Sequence, residues 1–148
     1  MSHLLLKDTF DNFSFIEGEI TTFNKFTISG FLQEDFFDEK PEETYSRWNK
    51  TRDFCFQIIR GKRTPLGFKI VLALPEDQIP DFLTAHGLTG YRPEEIRGLY
   101  LNFHYDGHHL QCITGTSLNT FTMDKSIERE WDQEVKAILK SRSIEGDY

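Results

Sequence analysis

Residues 98–114 read Gly98-Leu99-Tyr100-Leu101-Asn102-Phe103-His104-Tyr105-Asp106-Gly107-His108-His109-Leu110-Gln111-Cys112-Ile113-Thr114. Leu99, Leu101, Phe103 and Tyr105 alternate with more polar neighbours, the period of two that sends successive side chains to opposite faces of a strand. Asp106-Gly107 interrupts the run, and Leu110 and Cys112 resume it. An Asp-Gly pair between two alternating segments marks a hairpin. With that pair as the turn, Tyr105 should face His108, His104 should face His109, and Phe103 should face Leu110.

Working upstream, Pro75 to His86 has helical spacing that buries Ile79, Phe82 and Leu83, and Gly87 stands where a left-handed cap belongs. Phe68, Ile70, Leu72 and Leu74 alternate as a strand. Phe54 to Ile59 fits two templates. Tyr45, Trp48, Cys55 and Ile59 share a helical face, whereas Phe54, Phe56 and Ile58 alternate. The clear strand at 68–74 favours a strand here too, joined to it through Arg60-Gly61-Lys62-Arg63-Thr64-Pro65. Residues 34–43 form an acidic surface loop with Phe36-Phe37 inside it, leading to a short helix around Glu42 to Lys50. Phe13 to Ile20 is strand-like, and a two-residue turn at Asn24-Lys25 would pair Phe23 with Phe26, placing Phe26, Ile28 and Leu32 on one face. Leu4 to Leu6 end a short helix. Downstream, Thr114-Gly115-Thr116-Ser117 reads as a loop and Thr120 to Met123 as a strand end. Asp124 caps a helix whose apolar face is Ile127, Trp131, Val135, Ile138 and Leu139. Together these predict one α+β domain over residues 1–148, with a mainly antiparallel sheet built from β-hairpins and three to four helices packed on it.

Composition narrows the function classes. The 148 residues include 14 phenylalanines, and aromatics make up 14%, which suits half-buried strands. The formal net charge of −7 argues against a general nucleic-acid or membrane-surface binder, because both need concentrated positive charge. No apolar run approaches a membrane span, and three leucines near the N-terminus are too few for a signal-peptide core. A cytoplasmic location is expected. Cys55 and Cys112 stand far apart with no CxxC pairing, so two buried thiols in a reducing compartment are expected.

Several strings resemble a small bacterial family of unknown function, found mainly in anaerobic Gram-positive bacteria. They are Phe10-Asp11-Asn12-Phe13; Thr21-Thr22-Phe23 with Phe26 and Gly30; Gly61 to Leu66 with Phe68-Lys69-Ile70; and Thr114 to Ser117 with Phe121, Asp124-Lys125-Ser126 and Trp131-Asp132. The resemblance spans nearly the whole chain and implies no activity, cofactor or partner. It also implies a further turn or two before Met1.

Four groups of residues are candidates for chemistry. Arg47, Lys50, Arg52, Arg60, Lys62, Arg63 and Lys69 fall within residues 47–69, where only Asp53 opposes them. If 54–74 is a hairpin, Arg60, Lys62, Arg63 and Thr64 crowd its tip and offer donors to a phosphate or an acidic partner. The spacing is not that of a Walker loop, and a solvated loop balanced by the 34–43 carboxylates is the plainer reading. His104 and His109, as cross-strand neighbours, offer two ligands to a metal, but a site needs a third and the sequence places none. Ser117 and its neighbouring threonines lack an oriented base, so a polar turn is expected. Glu128, Glu130, Asp132 and Glu134 suit a solvated helix face, with Asp132 paired to Lys136. No cofactor is called for. The favoured reading is a non-enzymatic module that meets an acidic protein partner through the basic tip. Phosphate or nucleic-acid contact by the same tip is the first alternative, and an enzyme with a site assembled from distant residues is the second.

Overall fold

The computed structural model describes residues 2–61, 63–142 and 144. Five strands, β1 (Ser14–Thr21), β2 (Lys25–Ser29), β3 (Gly67–Ala73), β4 (Ile96–Tyr105) and β5 (Leu110–Leu118), form one antiparallel sheet in the order β2-β1-β3-β4-β5. Four α-helices accompany it: α1 (Ser2–Leu5), α2 (Trp48–Ile59), α3 (Ile79–Ala85) and α4 (Ser126–Ser141). The α+β class expected from the alternation and the helical faces is the one observed.

The chain gathers into two compact units, Met1–Ala73 with Asn102–Ile113, and Leu74–Leu101 with Thr114–Tyr148. In the first, β1 lies antiparallel between β2 and β3 and buries Phe15 and Ile20 completely. Trp48, at the start of α2, is fully buried with its ring 5.5 Å from that of Phe15. Its indole N–H donates to the Leu4 carbonyl at 2.9 Å, so one side chain fastens α2 to the end of α1. A buried indole needs such an acceptor. In the second unit Trp131 of α4 has the matching role. It is fully buried, donates to the Tyr100 carbonyl of β4 at 3.0 Å, and meets Phe82 of α3 edge-on at 5.7 Å. Ile127, Trp131 and Val135 form the buried stripe of α4, while Ile138 and Leu139, expected on it, are half-buried. Gly87 closes α3 with φ +67, the left-handed cap its position implied.

The structure corrects five local expectations. Residues 54–59 are helical, the last turns of α2, not a strand. Trp48, Cys55 and Ile59 are its buried face, and Phe54, which strand alternation would have needed, is 65% exposed. The sheet partners of β3 are β1 and β4, so no 54–74 hairpin exists. The helix expected from Glu42 begins at Trp48, preceded by an isolated bridge between Tyr45 and Phe31. The β1–β2 turn is three residues long, Thr22 to Asn24, because Thr21 pairs with Lys25 and Ile20 with Phe26. Phe23 therefore leaves the ladder and is 88% exposed, touching Phe26 only edge-on. Thr114 to Ser117 is not a loop but part of β5, where threonine's branched side chain is at home, and Thr120 to Met123 lies outside any strand.

The fifth correction concerns the Asp-Gly turn. Asp106 N–H donates to the His109 carbonyl at 3.3 Å, so Gly107 and His108 are the central residues and Asp106 stands opposite His109. Asp106 also accepts the backbone N–H groups of His108 and His109, both at 2.8 Å, through one carboxylate oxygen. That side-chain turn moves the turn centre by one residue, so each residue of β4 faces a partner two positions further along β5 than expected. His104 and His109 are not opposite one another.

Candidate functional site

Where β1, β3 and β4 end together, the first unit has an open cleft of about 460 Å³. Glu19 and Thr21 of β1, Leu66 to Lys69 at the start of β3, and His104 to Asp106 at the end of β4 line it. Of the basic segment, Lys69 lines this cleft. Leu66 N–H donates to the Thr21 carbonyl at 2.9 Å. Gly67 lies so close to β4 that a Cβ there would stand 2.7 Å from the Tyr105 carbonyl oxygen. Only glycine fits such an approach, and it fixes the C-terminal end of the 60–66 connection. Arg63, three residues before Leu66, is within about 10 Å of chain from the cleft wall.

Arg60, Arg63 and Thr64 are exposed on this connection, which runs from α2 to β3 instead of capping a hairpin; Lys62 lies outside the described residues. Neither arginine has an ion-pair partner among the described residues. In the acidic stretch Glu34 holds Lys40 at 3.7 Å and Glu43 holds Arg47 at 2.7 Å.

Inside the cleft the opposing charges are differently committed. Glu19 stands across from Lys69 in the β1–β3 register, yet its carboxylate is taken by Lys25 at 3.3 Å. Asp106 is occupied by the His109 and His108 backbone N–H groups, which hold its carboxyl below the usual carboxylate range. Lys69 is left exposed, with no ion pair among the described residues, beside exposed His104. Of the charged groups lining the cleft, Glu19 is paired with Lys25 and Lys69 has no ion pair among the described residues, while Asp106, hydrogen-bonded to neutral backbone N–H groups, keeps its negative charge.

The other sequence candidates are not brought into a common site. His109 is exposed at the turn, and no group of three His, Cys, Asp or Glu able to hold a metal occurs among the described residues. Ser117 has no hydrogen-bonded base among them, and Thr114 donates to Asp132 at 3.4 Å. Burial pushes the Cys55 thiol up to about 11 and the half-buried Cys112 thiol up to about 12, so both are inert as nucleophiles near neutral pH.

Sequence reasoning missed one constellation. In the second unit His86, just past α3, donates from Nδ1 to Glu130 and from Nε2 to Glu134 of α4, both at 2.8 Å. A carboxylate only accepts, so two such bonds require both ring nitrogens to carry hydrogen: His86 is an imidazolium. Burial disfavours the charged ring, but the hydrogen bonds to Glu130 and Glu134 and their charge outweigh it and raise its titration above the ordinary range. Glu130 and Glu134 are thus not simply a solvated face. Their i,i+4 spacing was the available signal; the ring they hold lies 44 and 48 residues away. Asp132 and Lys136 do pair as expected, at 3.1 Å.

The fold is that of an α+β protein, and this cleft is a charged, partly apolar surface recess in its first unit. No described helix is long and apolar enough to cross a membrane. The chain belongs to DUF5721, a family of unknown function, which it matches over residues 3–147. No curated protein and no solved structure matches it.

Proposed function

We propose that this chain is a non-enzymatic, cytoplasmic interaction module, acting as one domain, that takes an acidic protein segment into the cleft beside Arg60, Arg63 and Lys69. The resemblance of its strings to a family found mainly in anaerobic Gram-positive bacteria supports a source of that kind. The observation that carries the proposal is the unequal commitment of charge. Glu19 is paired with Lys25 and Asp106 is turned to its own backbone N–H groups, while Lys69, Arg60 and Arg63 have no carboxylate partner among the described residues. Exposed Leu66, at 70%, adds an apolar contact at the mouth. A charged recess with an apolar edge suits a peptide bearing carboxylates around a hydrophobic residue. Both nitrogens of His86 are already engaged and both thiols are held protonated, which supports a binding role over catalysis.

The test is fluorescence anisotropy with a labelled glutamate-rich peptide over a salt series. Binding should weaken as salt rises and fall at least about tenfold in Arg60→Ala/Arg63→Ala/Lys69→Ala, each position being exposed so that folding is spared. Equal binding by the triple variant would overturn the assignment. Binding of single-stranded DNA in preference to the peptide would favour nucleic acid as the partner.

A further inference from the structure

Between α3 and α4 the second unit has another cleft, of about 260 Å³. Its walls are Leu74, Phe82 and Ala85, and its polar rim is Gln78, Asp81, His86 and Glu134. Phe82 also lies beneath the His86 ring, with centroids 4.7 Å apart. The recess combines an apolar floor with carboxylates, which is the chemistry that holds a cationic head on an alkyl stem.

The charge of the rim depends on one proton. Asp81 of α3 is exposed and has no ion pair among the described residues. Glu130 and Glu134 of α4 both hold His86, and Lys136, the next cation along α4, is occupied by Asp132. While the ring is an imidazolium it neutralises part of this carboxylate set. When it loses a proton, one nitrogen ceases to donate, and a carboxylate oxygen is left facing a lone pair. A cation supplied from outside would then restore the missing partner.

We propose that the α3–α4 cleft binds an alkylammonium or alkylguanidinium group, and that this cation competes with the His86 ring proton for Glu134. Binding of one cation releases one proton from the imidazolium to water. By linkage, cation affinity rises with pH through the His86 titration, and the bound cation moves that titration to lower pH.

The experiment is an NMR titration of the intact chain with n-butylammonium chloride at constant ionic strength, run on both sides of the His86 titration. Saturable shifts are expected at Gln78, Ala85 and His86, with affinity about tenfold tighter on the alkaline side. Asp81→Asn, an exposed change that leaves the clamp in place, should weaken binding about fivefold. His86→Gln should bind with no pH dependence over that range. A lysine-containing tripeptide that binds about tenfold tighter than butylammonium would identify a peptide side chain as the source of the cation; equal affinity would identify a free amine. Absence of saturable shifts on the alkaline side, equal affinity on both sides, or unchanged binding by Asp81→Asn would each refute the proposal.

Discussion

Replacing His86 by glutamine should make the protein less stable, and by an amount that shrinks as pH rises. The wild-type ring makes two charge-assisted hydrogen bonds at 2.8 Å; its side chain is 17% exposed, and those of Glu130 and Glu134 are 36% and 39% exposed. Such pairs lie between exposed ion pairs, worth about 0.2–1 kcal/mol each, and better shielded charge-assisted bonds, which are stronger. Discounted for solvent screening at the carboxylates, the clamp should contribute about 1–2 kcal/mol. A glutamine amide can still donate to one carboxylate but carries no charge. The sign follows from the raised titration of the folded ring. The contribution is fully present below the unfolded histidine's ordinary value of about 6.5, and it is lost as pH rises through the folded ring's higher one. Thermal unfolding of both proteins from about pH 5 to about pH 9 reads this directly, since about 1–2 kcal/mol corresponds to about 3–6 °C for a chain of this size. The gap should be widest at the acid end and narrow toward the alkaline end. A gap that stays constant, or widens with pH, would show that the ring is not held as an imidazolium.

Three further outcomes follow from the packing. Trp48→Phe keeps most of the buried ring but leaves the Leu4 carbonyl without its donor, so urea unfolding should show a loss of about 1–3 kcal/mol. Gly67→Ala places a methyl group 2.7 Å from the Tyr105 carbonyl oxygen, and thermal unfolding should show a loss of about 1–3 kcal/mol, because backbone rather than a flexible side chain must yield. With the thiols pushed up to about 11 and about 12, Cys55 and Cys112 should react with a disulfide reagent at pH 8 far more slowly in the native protein than in guanidinium, where both label quickly.

The parts of the fold legible in the sequence were those where one local signal had no rival. Asp106-Gly107 announced the β4–β5 hairpin, and Gly87 announced the end of α3. Trp131 and its neighbours announced the face of α4. Phe54 to Ile59 was misread because its apolar residues satisfy both a period of two and a helical face. The choice was made by tertiary burial of Trp48, Cys55 and Ile59, which no local pattern encodes. Thr114 to Ser117 failed differently: its hydroxyls and Gly115 resemble a turn, yet β5 pairs with β4 through them. The hairpin register slipped because Asp106 uses its side chain to bind two backbone N–H groups, moving the turn centre by one residue.

The candidate site was legible only in part. Lys69, from the cation-dense stretch 47–69, and His104 both line the cleft. That Glu19 would pair with Lys25 and Asp106 bind its own turn depends on strand register, so Lys69's lack of an ion pair among the described residues emerged only in three dimensions. The His86 clamp joins residues at least 44 positions apart and had no local signature beyond the spacing of Glu130 and Glu134.

The most direct test of the central claim is backbone amide shift mapping with an unlabelled glutamate-rich peptide. The account predicts saturable, salt-sensitive shifts centred on Arg63, Thr64, Gly67, Lys69 and His104, with residues 79–85 and 126–141 unmoved. Shifts centred elsewhere, or none at low salt, would contradict it.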